Sequence, residues 1–317
     1  MNDQLKDTRI VFMGTPEFAV ASLDALVKAG ARIVGVVTAP DKPAGRGMKM
    51  TESAVKKYAV EHGLHLLQPE KLKDPAFLEA LRALRVDLQI VVAFRMLPEV
   101  VWNMPPMGTV NLHGSLLPQY RGAAPINWAV INGERETGVT TFKLQHAIDT
   151  GNILLQDSFA VGEDDTAGDV HDYMKEVGAK LLVKTVEGLV AGTIVEKPQS
   201  SPESGVESSG SSLKHAPKIF TETCKIDWHK PAFDIHNLIR GLSPFPGAFT
   251  YLQDKVLKIY RSKKEIAPPA IPEGTADTNG KTYLKFACAD GYIHVLDLQL
   301  EGKKRMTIEE FLRGYRF

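Results

Sequence analysis

The sequence predicts an α/β protein: a doubly wound, mostly parallel sheet followed by a small C-terminal β-barrel. Three observations lead there. Short apolar runs alternate with amphipathic segments through residues 9–93. A stretch rich in Ser, Glu, Gly and Pro breaks the composition near 198–213, as a linker does. Beyond it, strand-like runs follow one another across turn signals. A chain of 317 residues is long for one core. Three segments are therefore expected: an α/β domain over 1–197, a linker over 198–213 and a β-domain over 214–317.

The elements follow in order. Residues 9–13 read as a short buried strand. Residues 16–29 read as a helix, with Pro16 at its start, Val20, Leu23 and Val27 on one face, and Gly30 as its stop. Residues 32–38 are the next strand, 52–62 a helix ended by Gly63, and 64–67 a strand. Asp74-Pro75 opens a helix with an N-cap and a first-turn proline, and Phe77, Leu78 and Leu81 line its inner face. Residues 87–93 form a central strand and 109–113 another. Residues 137–144 and 153–159 are two strands around a turn at Asp149, and 166–190 is a long helix. After the linker come a short helix at 232–240 and strands at 248–252, 256–261, 282–287 and 293–300. That spacing suits a barrel of the oligonucleotide-binding (OB) type.

The balance of 38 Lys+Arg against 38 Asp+Glu gives no net charge. From Ser200 onward 17 basic residues face 14 acidic ones, a mildly basic end. Cys224 and Cys288 stand far apart without metal-type neighbours, so no metal is expected and a reducing compartment is. The start of the chain is polar and no apolar run approaches a membrane span; a cytoplasmic monomer is expected.

The first strand leads into Gly14-Thr-Pro-Glu-Phe. A dinucleotide site would carry Gly-x-Gly-x-x-Gly there and a P-loop would end in Gly-Lys-Ser/Thr. The layout is Rossmann-like without that fingerprint. The chemistry lies further on, in Asn111-Leu-His113-Gly-Ser115-Leu-Leu-Pro118 and Asp149-Thr-Gly151. Asn111 and His113 are two apart in a strand and share a face. They sit at the strand's C-terminal end, where open α/β sheets bind ligands. An amide can donate to an oxyanion, an imidazole can move protons, and the Asp149 carboxylate can orient and charge it. This is equipment for acyl-type transfer. Asp149 before a glycine also reads as a plain turn residue. A Ser-His-Asp hydrolase built on Ser115 would need Gly-x-Ser-x-Gly, and the string here is His-Gly-Ser-Leu-Leu. Ser115, Leu116, Leu117 and Pro118 read better as a turn against a flat, apolar-faced ligand. Lys42, Arg46 and Lys49 lie in a loop, Asp41 through Lys49, suited to phosphate contact; its plainer reading is a solvated loop.

These strings, with Asp41-Lys-Pro-Ala-Gly-Arg-Gly and Arg121-Gly-Ala-Ala-Pro-Ile, occur in an order that resembles the methionyl-tRNA formyltransferase family over nearly the whole chain. The resemblance implies 10-formyltetrahydrofolate as co-substrate, initiator methionyl-tRNA as partner, and Asn111, His113 and Asp149 as the catalytic trio. It places folate against Ser115 through Pro118 and against an apolar loop carrying Val92, Phe94 and Leu97. It places the acceptor stem against Lys42, Arg46 and Lys49, and gives the C-terminal domain a share in holding tRNA. Two strings depart from the family pattern: Ala93-Phe94-Arg95-Met96 replaces Ala-Tyr-Gly, and Gln145-His146-Ala147 stands where Asp-x-Gly is usual. Both fall on the pterin side and leave the trio intact. The resemblance also implies a few residues more than the end at Phe317. A formyltransferase or formyl hydrolase acting on a sugar nucleotide or purine precursor is the rival reading, and a nonenzymatic RNA-binding module a third.

Overall fold

A computed structural model describes residues 3–44, 49–147, 149–199 and 212–316. Backbone contacts divide it into two units. The first comprises Met1–Arg121, Gly138–Phe159 and Asp172–Lys214; the second comprises Gly122–Thr137, Ala160–His171 and His215–Phe317.

The chain runs through α1 (Asp3–Asp7), β1 (Arg9–Gly14), α2 (Glu17–Lys28), β2 (Arg32–Val37), β3 (Lys42–Ala44), β4 (Lys49–Thr51), α3 (Ala54–Glu61), β5 (Leu66–Leu67), α4 (Pro75–Ala83), β6 (Leu88–Val92), α5 (Glu99–Trp102) and β7 (Thr109–His113). Then come β8 (Arg121–Gly122), α6 (Pro125–Ile131), β9 (Glu136–Lys143), β10 (Ile153–Ala160) and α7 (Ala167–Val190). In the first unit seven strands lie in the order β10-β9-β7-β6-β1-β2-β5. The five from β7 to β5 are parallel, and β9 runs antiparallel to β7. Central strands of a parallel sheet are covered on both faces and read as near-continuous apolar runs; every residue of β6 is buried, and its one polar side chain, Gln89, accepts from Thr109 Oγ1 at 3.0 Å. Helix starts follow local chemistry. Ser53 Oγ accepts from Lys56 N at 3.0 Å, so α3 begins at Ala54 rather than at the expected residue 52. Asp74 Oδ1 accepts from Ala76 N at 2.9 Å and Pro75 fills the first turn of α4. Gly14 serves packing: a Cβ there would lie 2.6 Å from Ala19 Cβ. The strand order reverses between β1 and β6, and the loop after Val92 leaves at that switch point.

The expected open loop after Asp41 is instead a hairpin: β3 and β4 pair antiparallel, Lys42 opposite Thr51. Its base is anchored where Lys56 Nζ meets Asp41 Oδ2 at 2.5 Å and Gln68 Nε2 donates to Asp41 Oδ1 at 2.9 Å.

The second unit continues with β11 (His215–Ala216), α8 (Ala232–Gly241), β12 (Ala248–Leu252), β13 (Lys255–Ile266), β14 (Ala276–Thr278), β15 (Leu284–Cys288), β16 (Gly291–Leu300), β17 (Met306–Thr307) and α9 (Ile308–Gly314). Its antiparallel sheet runs β12-β13-β16-β15-β14, with β17 also on β16. Register shifts in β13 at Ile259/Arg261 and Arg261/Ser262 bend the strand, and the sheet curls into a half-barrel, the form the expected barrel takes. Trp228 stacks on Phe286 at 4.8 Å inside this core, beside Ile235 and Ile239 of α8 and Phe311 of α9. This unit also takes in α6. Asn127 Nδ2 donates to Gly241 O at 2.8 Å, and a Cβ on Gly241 would lie 2.5 Å from Ile131 Cγ1. Buried Arg240 donates to the carbonyls of Gly162 and Asp165 at 3.3 and 3.0 Å. Two segments that precede residue 198 thus pack with the residues that follow the linker.

Candidate active site

Asn111 and His113 occupy the last half of β7, flanked by β6 and β9: Asn111 pairs with Val91 and Phe142, and His113 with Thr140. Leu112, between them, points the other way, toward α7, where Gly178 leaves it room. The two polar side chains therefore share the opposite face. His113 is buried to 8% exposure, its ring edge-on to Phe142 at 6.4 Å. Its Nε2 lies 3.0 Å from the Tyr120 carbonyl oxygen. A carbonyl only accepts, so Nε2 carries the proton and Nδ1 holds the lone pair of the neutral ring.

The turn after β7 is tied down through one hydroxyl. Thr140 Oγ1 donates to Ser115 O at 2.7 Å and accepts from Leu117 N at 3.0 Å and Gln156 Nε2 at 2.9 Å. Gln156 Nε2 also donates to Leu117 O at 2.9 Å. Ser115 is fully buried and its hydroxyl donates to Gln119 O at 2.6 Å, which is the bonding of a turn residue rather than of a poised nucleophile. Leu117 is buried, and Leu116 and Pro118 are half-buried. At the neighbouring strand end Val92 and Leu97 are buried and Phe94 is half-buried on the core that holds Leu97. Ala93, between Val92 and Phe94, is exposed with φ at +45°.

Asp149 sits in the turn from β9 to β10 with φ at +53°. Gln199 clamps this turn: its Nε2 donates to the carbonyls of Asp149 and Gly151 at 2.9 and 2.8 Å. Its Oε1 accepts from Arg121 Nε and Nη2 at 3.1 and 2.7 Å. Burial pulls the Arg121 pKa down, and the Asp149 charge pushes it back up. Gly151 has no alternative, since a Cβ would lie 1.6 Å from Lys143 O. Lys143 and Asn152 both hold Glu196, at 2.5 and 3.0 Å, and these contacts lower its carboxyl pKa.

Sequence reasoning missed Thr140 and Gln199. The signal for Thr140 was a polar residue in a strand that is otherwise buried. Gln199 gave none, lying at the edge of the low-complexity stretch. On the basic hairpin Lys42 is exposed; Arg46 and the side chain of Lys49 lie outside the described residues, as does most of the expected linker.

The formyl transferase family model matches residues 8–186, and its C-terminal domain model matches residues 218–316. A methionyl-tRNA formyltransferase of Bacteroides thetaiotaomicron is 54% identical over 98% of this chain and 97% of its own length. One of Flavobacterium johnsoniae is 48% identical over 99% and 98%. Among solved structures, an N-formyltransferase from Helicobacter canadensis, in complex with folinic acid and dTDP-3-aminofucose, superposes with a TM-score of 0.67 at 22% identity, covering 91% of this chain and 98% of that one. At that identity the likeness speaks for the fold.

Proposed function

The chain belongs to the methionyl-tRNA formyltransferase family, and from that premise we propose that it moves the formyl group of 10-formyltetrahydrofolate to the α-amino group of methionine on initiator methionyl-tRNA, in the cytoplasm, for translation initiation. One observation carries the reading: an amide and an imidazole on one face at the ligand edge of the sheet, beside a turn pinned by Thr140. The edge suits a flat pterin. Backbone is exposed at Ala93, and the partly buried Phe94, Leu116 and Pro118 offer apolar surface on the exits of adjacent strands.

Bound folate supplies the formyl carbon in activated form. The neutral methionyl amine adds to that carbon, so that the formyl oxygen takes up negative charge; the carbon's bond to the folate nitrogen then breaks, and the amine's proton ends on the leaving nitrogen. Asn111 donates an N–H to the formyl oxygen as it gains charge. Protonated His113 donates from Nδ1, because Tyr120 holds Nε2. Asp149 supports that charge and takes the amine's proton through water. Lys42, Arg46 and Lys49 meet acceptor-stem phosphates, and the domain beyond the linker shares in holding the tRNA.

The test is formyl transfer to methionyl-tRNA beside small amines. Turnover with methionyl-tRNA alone is expected. Preference for an amino-sugar nucleotide would move the chain to the small-molecule formyltransferases, and formate release without an acceptor would make it a hydrolase.

A further inference from the structure

Away from the catalytic trio, the second unit holds a cavity of about 570 Å³ whose walls include Phe220, Phe245, Phe249, Tyr251 and Lys258. Three of these rings face solvent: Phe245 is 81% exposed, Phe220 57% and Tyr251 52%. Rings left that open in one place mark a contact surface. Phe245 stands between Pro244 and Pro246, whose fixed φ holds the backbone that presents it. Phe249 and Tyr251 are alternate residues of β12, edge to face at 6.0 Å. Lysines stand beside the rings. Lys218 Nζ lies 5.8 Å from the Phe220 ring and Lys225 Nζ 5.8 Å from the Tyr251 ring. Lys258 Nζ donates to Pro246 O, 2.8 Å away, and among the described residues no carboxylate lines the cavity.

Open aromatic faces with ammonium groups beside them suit single-stranded nucleic acid: bases stack on rings and phosphates meet lysines. A methionine side chain would need a closed apolar sleeve and no lysines. We propose that this cavity is a stacking subsite for an unpaired nucleobase of the RNA substrate, a reading that rests on tRNA being that substrate.

The experiment uses the full chain and a short single-stranded RNA carrying 2-aminopurine, with an abasic RNA of equal length as control. Binding should quench the 2-aminopurine. Phe245→Ala should weaken binding by about 5- to 150-fold, the range for one stacked base. Phe245→Trp should restore it, and the abasic RNA should bind the unaltered protein as poorly as the intact RNA binds Phe245→Ala. With methionyl-tRNA the Ala variant should show a raised KM, a retained kcat and an unchanged folate Kd. Equal affinity for abasic RNA, no quenching, or binding only of an apolar peptide would overturn the subsite. If the unaltered protein formylates methionyl-tRNA while any of these is seen, the subsite alone falls; if it does not formylate methionyl-tRNA, the reading beneath it falls.

Discussion

The Tyr120 carbonyl decides what His113 can do. By holding the proton on Nε2 it leaves Nδ1 to accept or, once protonated, to donate toward a substrate. His113→Ala should lower kcat by at least about 100-fold, the scale of a lost oxyanion donor or acid. Unchanged circular dichroism would exclude misfolding, and near-normal turnover would remove His113 from the chemistry. Gln199 acts at one remove. Its amide spans Arg121 and the Asp149 turn, so Gln199→Ala frees a turn held in a left-handed conformation. The expected result is a lower kcat with little change in the KM for methionyl-tRNA, and partial rescue by Gln199→Glu, which keeps the Arg121 contact alone. A change confined to KM would assign Gln199 to tRNA binding instead. These two residues also mark what a sequence can reveal. Asn111 and His113 are legible because strand periodicity puts i and i+2 on one face. Gln199 is not, because its partners lie 50 and 78 positions away.

Among the elements, the parallel strands and their helices were legible because continuous apolar runs, capping residues and glycine stops are local signals. Elements missed were those whose reason is tertiary. The helix α6 owes its place to α8, and the hairpin β3–β4 to the anchoring of Asp41. One local signal went unused: Thr307 and Glu310 form a capping box that starts α9. Element packing also sets two expectations. Thr140→Val keeps the shape of β9, leaves Leu117 N without its acceptor and Ser115 O without the Thr140 donor, and leaves Gln156 Nε2 with Leu117 O alone. Denaturant unfolding should show a loss of about 1–3 kcal/mol, the cost of buried unpaired groups, and folate should bind more weakly. No loss in either would mean that the turn holds itself. The second expectation concerns His236 on α8, whose ring meets Ser262 Oγ at 3.0 Å and Glu163 O at 3.3 Å. Burial, with Lys264 and Arg240 nearby, lowers its pKa despite the opposing Glu163 hydrogen bond and Asp164 charge. A depressed histidine favours the folded state above its unfolded value of about 6.5, and that advantage fades as pH falls through the folded value. His236→Gln should flatten the decline in melting temperature below pH 6.5. An unchanged slope would place the acid sensitivity elsewhere.

At the scale of the whole molecule, composition predicts a break at the linker, while the division into two compact units also draws earlier segments into the second unit. Residues Gly122–Thr137 and Ala160–His171 pack with the C-terminal sheet, through contacts such as Arg240 on the Asp165 carbonyl. No compositional shift marks them, because a helix that packs on a later one carries the same apolar stripe as any other. Removing everything beyond the linker would therefore strip α6 of its partner, and a truncated chain would confound folding with binding. The nucleic-acid reading is better tested by charge. Net charge is zero, so any strong salt dependence of tRNA binding must come from local cations rather than a global field. Phosphate contacts release counterions, and affinity then falls linearly in the logarithms with added salt. Folate, proposed to bind at the sheet edge and the pinned turn, should respond far less. Arg46→Ala should weaken use of methionyl-tRNA, reduce the salt slope by roughly one counterion, and leave the folate Kd in place. Lys42→Ala, on the described arm of the same hairpin, should move both quantities in the same direction. If both variants keep the unaltered slope and the unaltered KM, the hairpin is a solvated loop. The tRNA must then be held by other cations, of which the lysines around the aromatic cavity would be the next to remove.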